Sequence, residues 1–375
     1  MDENLFDLLE HTFNAEGPAA GFDLLIHTLQ QQKSYALVLE ARLMQKRHAM
    51  GLPLIFAGTI TDLPLEQQGP YGAAMTDAAR EAGHSYLADG DIVNAWTYFR
   101  AIGEPGPVAA AIEDVQSGEA IEAVLAIALV EGVSPRRGFE LLLEHRGICD
   151  GISFATHGPD RETRVMFLQM LVKAFYNELM AHLKEAIARI DGHIPGANRV
   201  AELITGRDWL FEAGHFYIEN SHLVSILQAS PELDDPETMR LVLELADYGR
   251  RLAPIHHFRG QPPFEDPYVD YAEYLSALLG EHVDQSVAHF RTKVADSVPG
   301  AADVLIGLLA RLGRYDEAIQ ISLERLGGEA GNGCLSAIEL CQMAGNYQRL
   351  CDVARTEHDL LGFAAGMVQR YCHFH

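Results

Sequence analysis

Apolar residues recur along this chain at intervals of three and four positions, almost without interruption. That spacing places them on one side of a helix and predicts amphipathic helices over Phe22–Gln32, Ser34–His48, Tyr71–Ala88, Asp91–Ile102, Arg161–Ile190, Glu237–Leu252 and Tyr268–Leu279. The alternation expected of strands is nearly absent. Glycine and proline punctuate the pattern at Gly51–Pro53, Gly103–Pro107, Ser134–Pro135, His157–Pro159, Gly192–Gly196, Pro231–Pro236 and Pro262–Pro267. Helices joined by short turns predict an all-α protein built of antiparallel helix pairs.

The pattern also repeats. Leu308–Leu326 reads LLARLGRYDEAIQISLERL, with Gly313, Tyr315, Ala318 and Ile319 in a characteristic order. Leu278-Leu279-Gly280 opens LLGEHVDQSVAHF, and Met343-Ala344-Gly345 opens MAGNYQRLCDVA. The three glycines stand 33 and 32 positions apart. A further unit, YLADGDIVNAWTYF, carries Gly90, Ile92, Ala95 and Phe99 at matching offsets, with Pro107 closing it. These segments resemble the tetratricopeptide repeat, whose period is about 34 residues. The likeness is best over residues 270–360 and weaker over 75–107. The first-helix Trp and Leu typical of the repeat are missing from most units, and Arg325 stands where a second small residue is usual. The resemblance implies a right-handed α-solenoid of degenerate tetratricopeptide-like repeats. In it the glycine lets one helix pack closely, the small Ala lets the second helix approach the first, and a concave groove binds a peptide or protein. It implies no chemistry by itself. Three segments are expected: N-terminal helical repeats over 1–150, a central helical segment over 151–270, and C-terminal tetratricopeptide-like repeats over 271–375.

The central segment carries the candidate chemistry. If Phe211–Ala229 is one helix, His215, Glu219 and His222 lie within an arc of about 60° at ~100° per residue. Two imidazoles and a carboxylate are a common ligand set for zinc, iron or manganese. Residues 254–267 form a proline-rich loop with His256, His257, Arg259, Glu265 and Asp266. His256 or His257, with His257 preferred, is placed to complete a metal site with His215, Glu219 and His222, and Glu219 to serve as ligand or general base. Arg259 suits an anionic group of a small polar ligand. Tyr268, Tyr271 and Tyr274 form an aromatic stripe that reads either as core or, through Tyr268 and Tyr271, as a ligand platform. The same histidines read equally as structural side chains paired on helix surfaces. His145 and Cys149, four apart, are spaced for a thiolate–imidazole pair or mark a helix end at Gly147. His282 and His289 read as groove or surface residues.

Composition narrows the partners. The 375 residues hold 28 Lys+Arg against 53 Asp+Glu, a net charge of −25. Nucleic acid and anionic membrane are excluded as general partners, because both are bound through clustered basic side chains. A basic partner with salt-sensitive association is favoured. The N-terminus lacks a basic region followed by an apolar one, and no run reaches the length of a membrane span. The five cysteines form no Cys-x-x-Cys pair, which predicts reduced, mostly buried thiols in a cytoplasmic protein. Gly-x-x-x-x-Gly-Lys-Ser/Thr, Gly-x-Gly-x-x-Gly and Gly-x-Ser-x-Gly are all absent. Two functions are expected. The first is a helical-repeat binding protein. The alternative is an enzyme of the hydrolase or lyase class, dependent on one divalent transition metal (Zn, Fe or Mn).

Overall fold

The computed structural model describes residues 3–55, 58–116, 120–212, 218–324 and 335–373. Among them there are nineteen α-helices and no strand. No helix among the described residues is long and apolar enough to cross a membrane. The chain divides into two units, Met1–His145 and Arg146–His375. The expected divisions at 150/151 and 270/271 fall inside helices, Pro135–Thr156 and Pro267–Leu278.

The first unit contains α1 (Glu3–Glu16), α2 (Pro18–Gln31), α3 (Tyr35–Ala49), α4 (Leu65–Ala88), α5 (Ile92–Ile102), α6 (Gly106–Glu113) and α7 (Ile121–Leu125), which a π-helical turn extends. Each helix from α1 to α5 packs on its successor. Ala95 and Phe99 of α5 are fully buried, and Gly83 of α4 sits where any side chain would strike the Phe99 ring. The helix α8 (Pro135–Thr156) breaks at Gly147, whose φ of 75° ends its first half.

The second unit begins with the 31-residue α9 (Arg161–Asp191). It continues through α10 (Val200–Ile204), α11 (Asn220–Ala229), α12 (Pro236–Arg251) and α13 (Pro267–Leu278). It then runs through α14 (Val283–Ala295), α15 (Ala301–Arg311), α16 (Tyr315–Glu324), α17 (Ala337–Met343), α18 (Tyr347–Thr356) and α19 (Leu360–His373). α9 packs against α10, α11 and α12, and from α12 to α19 every helix packs on its successor. Leu171, Leu179, Leu183 and Ile187 of α9 are buried on one stripe, as its three- and four-residue spacing requires.

The recurring glycines have a different role from the one expected. Gly90, Gly280, Gly313 and Gly345 all adopt positive φ, between 64° and 79°. A Cβ on any of them would meet nothing within 4 Å. Backbone conformation, not close packing, therefore requires glycine here. In each case the residue after the glycine donates its N–H five residues back: Asp91 to Tyr86, Glu281 to Ser276, Arg314 to Leu309 and Asn346 to Cys341, at 2.8–3.0 Å. That bond ends the first helix of a hairpin by satisfying one of its last carbonyls. Asp91 and Asn346 then cap the following helix, accepting from the Asn94 and Arg349 N–H groups. Ala95 and Ala318 are both fully buried, so the small residue does stand in the hairpin interior.

The distinction is testable within one hairpin. Gly313→Ala forces a side chain into the left-handed region and is expected to lower stability by about 1 kcal/mol. Gly307→Ala, in the interior of α15 with open space around it, is expected to raise stability by up to about 1 kcal/mol. Chemical denaturation of the two full-length variants reads both signs.

Candidate functional site

The proline-rich loop before α13 is tightly built. The Gly260 N–H donates to the Glu265 carbonyl at 2.9 Å, and the Phe264 N–H to the Gln261 carbonyl at 2.8 Å. A Cβ on Gly260 would collide with the Phe264 carbonyl oxygen, so the loop can close only on glycine. The Phe264 ring stacks on Tyr271 at 4.1 Å and meets Tyr274 and Phe290 edge-on. This aromatic plug anchors the loop on α13 and α14. Phe264→Ala is expected to loosen the loop and lower stability by about 3 kcal/mol, seen as faster amide exchange across residues 258–267.

Beside the plug lies a charged cluster. Asp266 caps α13, accepting from the Tyr268 and Val269 N–H groups. Its own N–H donates to Asp270 Oδ2 at 3.0 Å. Asp270 is only 2% exposed. His289 Nε2 donates to Asp270 Oδ1 at 2.7 Å, and Lys293 Nζ lies 3.1 Å from the same carboxylate. Lys293 also reaches Glu265 Oε2 at 2.7 Å. His289 and Lys293 are four apart on α14 and so project from one face toward α13.

The electrostatics follow from this arrangement. Burial alone would raise the Asp270 pKa, but hydrogen bonds from His289 and Lys293 outweigh it and hold the carboxyl below the usual range. The Lys293 ammonium likewise holds Glu265 below its ordinary value. Burial works against the Lys293 charge, yet Glu265 and Asp270 keep its pKa raised. Because Asp270 accepts, the His289 proton is assigned to Nε2, which leaves Nδ1 as an acceptor. The cluster clamps the loop to the α13–α14 hairpin and fixes the ring of the partly exposed His289.

The expected site residues are distributed differently. His215 lies outside the described residues. The helix expected over Phe211–Ala229 does not form as one piece: Asp208–Phe211 is a single 3₁₀ turn, and α11 starts at Asn220. Glu219 has extended backbone, φ −71° and ψ 114°, and precedes the first turn. It therefore shares no helical stripe with His222. Polar residues at helix starts compete with helix continuation through their own hydrogen bonds, and here buried Asn220 donates its side chain to the His256 carbonyl at 3.0 Å. Glu219 is exposed and accepts from Ser221 Oγ at 3.1 Å. His222 and His256 are half-buried. His257 is exposed, its ring 5.3 Å from that of Tyr268. Arg259 is exposed.

Tyr268 and Tyr271 are 1% and 7% exposed. Tyr268 packs against α12 at Gly249, where a Cβ would strike its ring. His145 Nε2 lies 2.8 Å from the Gln116 carbonyl, and Cys149 is exposed. Cys341 and Cys351 are buried free thiols, and burial pushes the Cys341 thiol up. Among the described residues, no three His, Cys, Asp or Glu side chains gather into a group that could hold a metal.

Asp270, Lys293 and Phe264 were not singled out by the sequence pattern. Part of their trace was present: Asp270 lies on the predicted helix Tyr268–Leu279, and His289 and Lys293 stand four apart in the following repeat segment. Opposite charges at matching helical spacing are a sign that two faces meet. No protein-family model matches the chain, and no curated protein matches its sequence.

Proposed function

We propose that this chain is a helical-repeat binding protein, a right-handed solenoid of degenerate tetratricopeptide-like hairpins that holds a peptide or protein partner in the cytoplasm. The observation that carries the reading is the recurrence of one hairpin turn at Gly280, Gly313 and Gly345, with the same positive φ and the same five-residue-back hydrogen bond. Units that repeat in this way stack on their neighbours and leave an extended surface along one side.

The two sides of the hairpin row differ. Along the second helices, ion pairs run from hairpin to hairpin: Arg314 to Asp284 at 2.8 Å, Arg291 to Glu317, and Arg349 to Asp316 at 2.6 Å. These charges are engaged with one another. Along the first helices, α13 touches α15 directly, and this row is the proposed binding face. The −25 charge of the chain favours a basic partner.

The test is a peptide array probed with the full-length protein. Retention of Lys- and Arg-rich peptides, lost at high salt, is expected. No enrichment over an unrelated acidic helical protein would overturn the reading. Elemental analysis of untagged protein separates the alternative. Near-stoichiometric zinc, iron or manganese, lost in His222→Ala and His257→Ala, would replace the binding reading with a metal-dependent enzyme.

A further inference from the structure

The last helix is built inside out. α19 turns Gly366 toward α18, where a Cβ would stand 2.7 Å from Cys351 Sγ and 2.8 Å from the Leu350 side chain. Apart from the half-buried Phe363, its large apolar side chains are exposed: Leu360 82%, Leu361 84%, Met367 46%, Val368 61% and Tyr371 70%. With Ala364 these five fall within an arc of about 120° at ~100° per residue. They form a continuous apolar stripe roughly 16 Å long. Single exposed apolar residues are ordinary, but a contiguous stripe marks an interaction surface.

We infer that this stripe is the contact surface for a second copy of the chain, with α19 packing antiparallel on α19 about a two-fold axis at Ala364. Three observations favour a second copy. The stripe is self-complementary: pairing about Ala364 sets Leu360 opposite the partner's Val368 and Leu361 opposite the partner's Met367, while the small residue at the axis lets the helices approach to about 8 Å. The charges at its ends are opposite. Glu357 and Asp359 flank the N-terminal end and Arg370 the C-terminal end, so an antiparallel pair brings acid beside base. The other nearby cation, Arg355, lies over the Phe363 ring of its own chain. The area also fits, since the stripe offers on the order of 500 Å² per copy, and a pair buries about 1,000 Å², the lower bound for a specific interface.

Such a dimer has a distinctive salt response. Each copy carries −25, so general repulsion opposes an apolar contact, and added salt strengthens the association by screening it. Binding of a basic peptide would weaken under the same change, so failure of one reading leaves the other measurable.

Light scattering on the full-length protein over a concentration series tests the inference. The expected mass rises from 41.3 kDa toward twice that value, and further at about 0.5 M salt. Leu361→Glu combined with Val368→Glu is expected to weaken association at least about tenfold, with helical circular dichroism unchanged because both positions are exposed. Leu37→Glu, at an exposed apolar position on α3, should leave the dimer intact. A monomer at every concentration, or a dimer that survives the double substitution, overturns the inference. So does a stripe that becomes covered only when a different protein is added.

Discussion

Replacing Asp270 with alanine is expected to destabilise the second unit by about 3 kcal/mol. The carboxylate is 2% exposed and accepts from three donors: the Asp266 N–H, His289 Nε2 and Lys293 Nζ. Its removal strands the Lys293 charge, whose side chain is only 15% exposed, with Glu265 as its remaining partner. Asp270→Asn keeps an acceptor without the charge and should fall between the two. The contribution also has a defined pH window. The Asp270 pKa is lower in the folded protein than in the unfolded chain. The stabilisation is therefore complete above about pH 4 and disappears as pH falls through the folded value. Denaturation of wild type and Asp270→Ala should give a gap that shrinks as pH falls below about 4. An unchanged midpoint at neutral pH would remove Asp270 from its role as the clamp.

A second large effect is expected at Glu244. This buried carboxylate of α12 accepts from Tyr176 Oη at 2.7 Å, from Arg199 at 2.6 Å and from the Ala201 N–H at 3.1 Å. Tyr176 Oη in turn accepts from the Val200 N–H at 2.8 Å. The short helix α10 has no side-chain cap of its own at Arg199. Its first N–H groups are satisfied instead by α9 and α12, through Tyr176 and Glu244. Burial pushes the Tyr176 phenol well above its usual range, so it remains a donor to Glu244 throughout the neutral region. Glu244→Ala is expected to cost about 2–3 kcal/mol and to fray α10. Trp209, one of two tryptophans in the chain, follows α10 and reports the change by fluorescence. In a double-mutant cycle with Tyr176→Phe, a coupling of about 1 kcal/mol or more is expected. Additive effects would show that the two groups act apart.

The helices were legible in the sequence because their determinants are local. Arg161–Ile190 was expected and α9 runs Arg161–Asp191; Asp91–Ile102 was expected and α5 runs Ile92–Ile102. Hydrogen bonds four residues apart and caps within three residues depend on near neighbours alone. The exception is instructive. Over Phe211–Ala229 the apolar spacing fits a helix, but Asn220 finds its partner in the His256 carbonyl, 36 positions away. A contact across that separation has no periodic signature. The expected stripe of His215, Glu219 and His222 rested on this one helix.

By itself, then, the sequence determined an all-α chain, the approximate limits of the seven helices read from apolar spacing and the positions at which glycine recurs. It also fixed the net charge of −25, since charge is additive over residues. Only the tertiary structure decided which faces meet. It joined Asp270 to His289 across 19 positions and Tyr176 to Glu244 across 68, and it seated Phe264 among Tyr271, Tyr274 and Phe290. It also decided the sense of α19, whose apolar stripe would pass for a core face in any periodicity count. Spacing shows that a helix has an apolar side. Which side is covered depends on the neighbour that arrives, and here Gly366 allows α18 to take the opposite face.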